Sequence, residues 1–413
     1  MNLNYTKYKG FSLIELMIAV LIGLIMLAAL LKLFDNFSSM NRTQNGLARI
    51  QENGRYVTMR LKKDLEHVGY QPCATISLDS PQRIERGFAV RPYINFSTMT
   101  NGLPSTKVID PQFMIQGHEC NASGNCVPST DSTSFGIDPS VNNLPAAGTS
   151  ADSRAFQTDI LTVRYLASSG VKIVDANINT LFLDQNPSLK PLSLVPGDSV
   201  LVANCFNSMI LTSGTISNDK ITIPSADIDE NASVFWAKGQ NNTRVFNFTD
   251  DFVTVTYYIG LKNHPTSGNQ LISSLYRIEN GGEPQEIIEG VERFDLTYGV
   301  QFNDGKVGYL SAKEIEEYND TSKCITEPLI PSSFGIPKLT NQDGCLWRSI
   351  FAIKVNLLLN TIYTSSTSNS EIFTYSQDAI NPQLPKDIPS GINPGRMYRK
   401  EFTETISLQS YNL

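Results

Sequence analysis

Apolar residues run almost unbroken from Phe11 to Leu31, and Glu15 is the only charge among them. A helix needs about 20 residues to cross the hydrocarbon core of a bilayer. The apolar core of an ordinary cleaved signal is only about 7–15 residues long, so this run exceeds that class. The pattern then changes. Beyond Lys32 the first proline is Pro72, and apolar side chains recur at Leu47, Ile50, Val57, Leu61, Leu65 and Val68. Steps of three, four or seven describe a helical stripe, and "RLKKDLEHVG" places charges on the opposite face. Gly69 is the expected stop. These signals predict one helix from Phe11 to Val68, about 87 Å long at 1.5 Å per residue. Its first part belongs in lipid, and its second can pack on a domain in water.

After Pro72 the helical period is lost. Residues 73–157 are rich in Ser, Thr, Asn, Gly and Pro, with short apolar runs such as "RGFAV" and "KVIDPQFMI". They read as an elaborated loop region. Regular β signals are expected from "TDILTVRYLA" onward, then in "SLVPGDSVLVANCF" and "MILTSGTISNDKITIP". In "DDFVTVTYYIGLK", Val253, Val255 and Tyr257 alternate with Thr254 and Thr256. A hairpin is predicted through Asn280-Gly281-Gly282, followed by a strand carrying Phe294, Leu296, Tyr298, Val300 and Phe302 on one face. "LWRSIFAIKVNLLLNTIY" is rich in β-branched and aromatic residues and reads as a buried strand. "RMYRKEFTETISLQSY" supplies a last alternating segment. The fold class expected is α+β, a long N-terminal helix packed through its second half on a mostly antiparallel β domain.

Composition narrows the function. The 413 residues carry 33 Lys+Arg against 40 Asp+Glu, a balance that argues against a nucleic-acid footprint on the soluble part. All six cysteines (Cys73, Cys120, Cys126, Cys205, Cys324 and Cys345) lie downstream of the apolar run and none is in Cys-x-x-Cys spacing. An even number beyond a membrane segment suggests disulfides in an oxidising compartment, and six cysteines allow 15 full pairings. The preferred set is Cys120–Cys126, Cys324–Cys345 and Cys73–Cys205, with buried free thiols as the alternative. Lys7 and Lys9 precede the span, which places the N-terminus in the cytoplasm and the remainder outside.

No constellation for catalysis stands out. Of the three histidines, His67 is placed near the helix end, where a cation favours the helix dipole. His118-Glu119-Cys120 with Cys126 matches no zinc spacing, and a disulfided loop is the better reading. No nucleophile elbow, His-Glu-x-x-His, P-loop or dinucleotide fingerprint occurs. Asn303-Asp304-Gly305 reads as a hairpin turn, and Asp227, Asp229 and Glu230 as a solvated turn. No cofactor, metal or enzymatic activity is expected.

"KGFSLIELMIAV" resembles the class III signal of type IV prepilins: a short basic leader, a glycine, a phenylalanine, and a glutamate at the fifth mature position. The resemblance implies cleavage between Gly10 and Phe11 by a prepilin peptidase, N-methylation of Phe11, and an assembly role for Glu15. A charge held in lipid is usually functional or paired. The partner would be the α-ammonium that cleavage creates on Phe11 of a neighbouring subunit, setting axial register in a filament.

"RIQENGRYVTMRLKKDLEHVGYQPC", "LYRIE…QEIIEGVERFDLTYGVQFNDG", Trp347 before "IFAIKVNLLLNT", and "YRKEFTETISLQ" look, in that order, like the PilW type of minor pilin. The layout this implies is a leader over 1–10, a lipid or filament-core segment over 11–31 and a periplasmic helix half over 32–69. A loop-rich insertion over 70–157 and a β-rich pilin domain over 158–413 complete it. The implied role is a non-enzymatic subunit that primes pilus assembly in a tip complex, alongside other minor pilins, the major pilin and the inner-membrane assembly platform. It would be a single-pass inner-membrane protein with a periplasmic domain, moving later to the pilus and cell surface. A type II secretion pseudopilin and a tip adhesin are the rivals.

Overall fold

The computed structural model describes residues 10, 12–68, 92–94, 115–130, 143–177, 179–184, 193–203, 208–217, 219–224, 243–266, 268, 270–320, 345–363, 371–379 and 382–408. The predicted long helix is present as α1, Leu13–Leu65, 53 residues without a break. It stops one turn before the expected end. Glu66 to Val68 form a turn in which the Val68 amide bonds the Leu65 carbonyl at 3.2 Å.

Among the described residues, only the second half of α1 meets the rest of the protein. Ile50, Gly54, Val57, Leu61, Asp64 and Leu65 are buried, whereas the apolar segment from Leu13 onward is exposed on every side. Leu47, expected in the stripe, lies just beyond the docked surface and is exposed. Each fully buried Ile, Val or Leu contributes roughly 1.5–3 kcal/mol relative to an exposed one. The docked stripe therefore holds the helix by burial, while the first half depends on another apolar environment.

The expectation that the charges of "RLKKDLEHVG" all face away fails at Asp64. It points into the β domain, where an arginine meets it.

Among the described residues the strands form three sheets. The first has order β14-β13-β12-β4-β2-β3. Its strands are β2 (Ile115–Cys120), β3 (Cys126–Val127), β4 (Ile160–Leu166), β12 (Phe252–Asn263), β13 (Leu271–Glu279) and β14 (Gln285–Glu289), all antiparallel. The second has order β16-β15-β17-β18, from β15 (Val291–Gln301), β16 (Val307–Leu310), β17 (Ile350–Asn360) and β18 (Arg399–Ser407), again antiparallel. The C-terminal half of α1 packs against β14, β17 and β18. One core joins its stripe to both sheets, through Val255, Tyr257, Phe294, Leu296, Tyr298, Val355 and Leu357.

The third sheet is built from residues between β4 and β12, with one short strand from upstream. Its order is β1-β8-β7-β11-β5-β6-β10-β9. The strands are β1 (Pro92–Ile94), β5 (Val171–Asn177), β6 (Thr180–Leu183), β7 (Ser199–Ala203), β8 (Ser208–Thr212), β9 (Ile216–Ser217), β10 (Lys220–Thr222) and β11 (Arg244–Asn247). β1 joins β8 in parallel, while the other pairs are antiparallel. It has its own apolar core of Val171, Ile173, Leu181, Val200, Val202, Leu211, Ile221, Ile223 and Val245. The predicted hairpins at Asn280-Gly281 and Asn303-Asp304-Gly305 are both present. Asn280 and Gly281 have φ of 50° and 69°, the left-handed values a tight hairpin requires.

Two departures have clear physical causes. β structure is already present at Pro92–Ile94 and Ile115–Cys120, inside the region read as loop. β2 carries Gln116, Gly117 and His118, all buried, so it shows no apolar alternation. β12 does alternate, but its Thr face is buried as well, with Thr256 and Thr162 hydroxyls 3.0 Å apart across the sheet.

Gly54 marks the closest approach of helix and sheet. A Cβ there would lie 2.4 Å from Phe402 Cε1 on β18, so the ring must move or the helix must lift. Gly54→Ala gains about 1 kcal/mol of helix propensity, yet overpacking of this kind costs about 1–3 kcal/mol. The variant is expected to unfold at lower denaturant than the parent, and Gly54→Ala with Phe402→Ala to recover most of that loss. Additive losses in the pair would show that the two do not compete for one space.

Candidate functional site

Two places on α1 bear on what this chain can do: its first turn and its last. Gly10 is exposed, and Phe11 lies outside the described residues. Ser12 is the N-cap, in extended conformation, and accepts the Glu15 amide through Oγ at 3.3 Å. Glu15 returns the contact, its Oε2 accepting the Ser12 amide at 2.8 Å. This reciprocal capping box satisfies two of the four orphan amides at a helix start. The signal S-x-x-E was legible in the sequence, yet sequence reasoning gave Glu15 only an intermolecular task. Within one subunit its carboxylate starts the helix. It sits one turn past Gly10, where an acid also complements the positive helix end.

At the other end, Asp64 is the one charged residue on the docked stripe, and it lies in a cage. Arg277 of β13 donates from Nε to Oδ2 at 2.8 Å. Tyr257 of β12 donates its hydroxyl to the same oxygen at 2.5 Å, and Tyr165 of β4 donates to Oδ1 at 3.1 Å. Arg277 also holds Glu279 through Nη1 at 2.5 Å. Three adjacent strands thus converge on one carboxylate from the helix. Asp64 and Arg277 are each only 4 % exposed at the side chain.

Burial alone would favour loss of the Arg277 proton, but Asp64 and Glu279 outweigh it and hold the guanidinium above its ordinary value. Burial, with the charge of Asp64 second, raises the Tyr165 hydroxyl to about 12. The same causes raise Tyr257. Both hydroxyls therefore stay protonated and donate, and the cage holds one carboxylate with one guanidinium. His67 lies against Tyr165 with the rings tilted at 41° and 5.7 Å between centroids, and its Nδ1 lies 2.6 Å from the Lys63 carbonyl. Its expected place near the helix end is correct, with the ring held in a specific contact there.

The cysteine and histidine candidates resolve into structure. Cys120 and Cys126 form a disulfide across β2 and β3. Cys73, Cys205 and Cys324 lie outside the described residues. Cys345 opens a 3-10 helix, Cys345–Ser349. His118 is buried and its Nδ1 meets the Pro128 carbonyl at 2.8 Å. Burial lowers it to about 4, with Arg154 and Arg164 adding to the effect, so it is neutral at physiological pH. Among the described residues no group of three or more His, Cys, Asp or Glu is placed to hold a metal ion. Asp227, Asp229 and Glu230 also lie outside the described residues.

Trp347 packs edge-on against Tyr298 and donates from Nε1 to Glu316 at 3.0 Å. Glu316 ends the short helix Ala312–Glu316. Tyr298 in turn lies over Gly117 of β2, where a Cβ would fall 1.8 Å from the hydroxyl oxygen. These contacts tie the second sheet to the first. A further pair, Glu292 and Arg399, anchors the start of β18. Arg399 Nε and Nη2 reach the two carboxylate oxygens at 2.7 and 2.9 Å, and Asn360 Nδ2 adds a bond to Oε1 at 2.7 Å.

Residues 256–410 match the family model of the type IV pilus-assembly protein W, PilW. Residues 5–31 match the prokaryotic N-terminal methylation motif. No curated protein and no solved structure matches the chain. The two family matches, with the long helix and the antiparallel β domain, support a PilW-like type IV pilin. The motif implies processing by a prepilin peptidase and interaction with other pilus components, and with the apolar helix it fits inner-membrane anchoring.

Proposed function

We propose that this chain is a minor pilin, a structural subunit that primes assembly of a type IV pilus within a tip complex of minor pilins. The observation that carries this is the division of α1. One unbroken helix is mostly apolar and exposed through its first half, then buried along one stripe from Ile50 and caged at Asp64 in its second. The first half suits lipid before assembly and a bundle of like helices after it. The second half delivers the β domain at a set height and angle. Cleavage follows Gly10, Phe11 is methylated, and the leader over 1–10 is lost. The PilW match over the C-terminal part supports a pilus over a secretion system for this subunit. Deletion of the gene is expected to abolish surface piliation and twitching motility. Intact pili with loss of secreted hydrolases would assign the chain to type II secretion instead.

The capping box separates two roles of Glu15. Glutamine at the same position keeps the reciprocal bond to the Ser12 amide but removes the charge. Glu15→Gln and Glu15→Ala are both expected to insert and be cleaved, yet to be recovered poorly in sheared pili, because the Phe11 ammonium of a neighbour is left unpaired. Ser12→Ala weakens the helix start by about 1 kcal/mol and is expected to incorporate. Normal recovery of Glu15→Gln in the pilus fraction would limit Glu15 to capping its own helix.

A further inference from the structure

The flank of α1 beside its docked stripe carries a charge pattern that the pilin reading does not use. Between Lys32 and Lys63 the helix holds seven Lys or Arg against Asp35 and Glu52, a local net charge of +5 on a chain whose net charge is −7. Three of the seven cations share one line with an aromatic residue. Arg42, Arg49, Tyr56 and Lys63 follow one another at intervals of seven, and all four are exposed. Seven residues at 100° each fall about 20° short of two full turns, so these four form one gently winding stripe roughly 32 Å long. Arg60 flanks it, one turn before Lys63. Among the described residues no carboxylate forms an ion pair with Arg42, Arg49 or Lys63, whereas Lys62, on another side of the helix, pairs with Glu66 at 3.7 Å.

We propose that this stripe is a docking surface for the acidic face of a parallel helix from a different subunit, with Asp or Glu recurring at seven-residue intervals, and that it excludes a second copy of this chain. The inference rests on the pilin reading and names the chemistry of the neighbour. A helix anchored in the same bilayer or bundle runs alongside α1, so the contact is long and its register is set by repeats. Two copies brought together on this face oppose Arg42 with Arg42, or, after a shift of one heptad (about 10.5 Å), with Arg49. The seven-residue spacing makes the repulsion survive any shift by whole heptads. Like charges directly opposed are destabilising, and an acidic partner gains at each step. Tyr56 supplies an aromatic anchor at the stripe's middle, 52 % exposed in the single subunit.

The test uses the full chain in its membrane. Donor and acceptor fluorescent proteins are fused to the C-terminus, and energy transfer is read in spheroplasts of a pilus-free host. Wild type is paired with itself and with R42E/R49E/K63E, whose substitutions all lie on exposed positions. Association of wild type with the reversed chain is expected to exceed self-association of either by at least about fivefold at 50 mM salt. It is expected to collapse at 500 mM, where the screening length drops below about 5 Å. The charge-preserving R42K/R49K/K63R chain is expected to behave as wild type and serves as the folding control. Equal transfer in homotypic and mixed pairs, or transfer indifferent to salt, would overturn the proposal. So would a labelled 20-base-pair DNA duplex that binds wild type and is released by R42E/R49E/K63E. Because the host has no pili, this result is independent of the deletion phenotype that tests the pilin role.

Discussion

Arg277→Ala is expected to lower the unfolding free energy by about 3–5 kcal/mol, one of the two largest effects of any single substitution considered for this protein. The cause is what remains behind. Asp64 would stay buried with only the hydroxyls of Tyr165 and Tyr257, and a carboxylate without a countercharge is costly at that depth. Because the pair joins α1 to β13, the loss falls on the docking of helix to domain. Equilibrium urea unfolding of the full chain in detergent, followed by tryptophan fluorescence, measures it. Asp64→Asn with Arg277→Met is expected to recover most of the stability, since the desolvation cost of both charges disappears. That double variant isolates the second role of the pair. Without a directional charge, the helix can rotate or slide by a turn on an apolar surface, and a pilin whose domain sits at the wrong angle fails in assembly. A loss below about 1 kcal/mol for Arg277→Ala would mean that the cage is not a structural lock.

Glu292→Ala is expected to cost a similar amount, about 3–5 kcal/mol. Glu292 and Arg399 side chains are 0 % and 1 % exposed, and the carboxylate accepts from both the guanidinium and Asn360. The guanidinium left behind keeps the Met397 and Pro394 carbonyls, at 3.2 and 3.0 Å, and the Phe373 ring, but no countercharge among the described residues. Its position matters as much as its energy. Arg399 begins β18, which pairs with β17 along its length and carries Phe402 against Gly54 and Ile406 toward Leu61. Fraying of β18 therefore loosens the bed on which α1 lies. Hydrogen exchange read by mass spectrometry is expected to show faster exchange in Arg399–Ser407 and in Ile50–Leu65 together. Faster exchange confined to β18 would show that the helix does not depend on it.

The two ends of the chain differed in how far they could be read in advance. The apolar run, the docked stripe from Ile50 to Leu65, the hairpin at Asn280-Gly281 and the strands β12, β15, β17 and β18 all follow from local period and turn chemistry, and each is in place. β2 could not be found that way. Its buried polar residues break the alternation: His118 is satisfied by the Pro128 carbonyl ten residues on, while Gly117 has no side chain because Tyr298 occupies the space. Asp64 was misplaced for the same kind of reason. In a helix pattern a lone acid between two lysines and a leucine reads as solvated, and only Arg277, 213 residues away, makes its burial tolerable.

The sequence by itself therefore determined the membrane-length helix, the prepilin-type motif at its start, and the antiparallel β character of the domain beyond the helix, whereas the capping of that start by Ser12 and Glu15 was read from the structure. These depend on contacts within a few residues, or on the partition of side chains between lipid, water and protein. The tertiary structure alone decided which face of the helix is charged inside, how three strands gather around Asp64, and where Phe402 demands a glycine. It also left Arg42, Arg49, Tyr56 and Lys63 facing outward as one line. Apart from that line, whose spacing is local to α1, each of these is a relation between residues far apart in the chain, set by the crossing of helix and sheets, and no local pattern carries it.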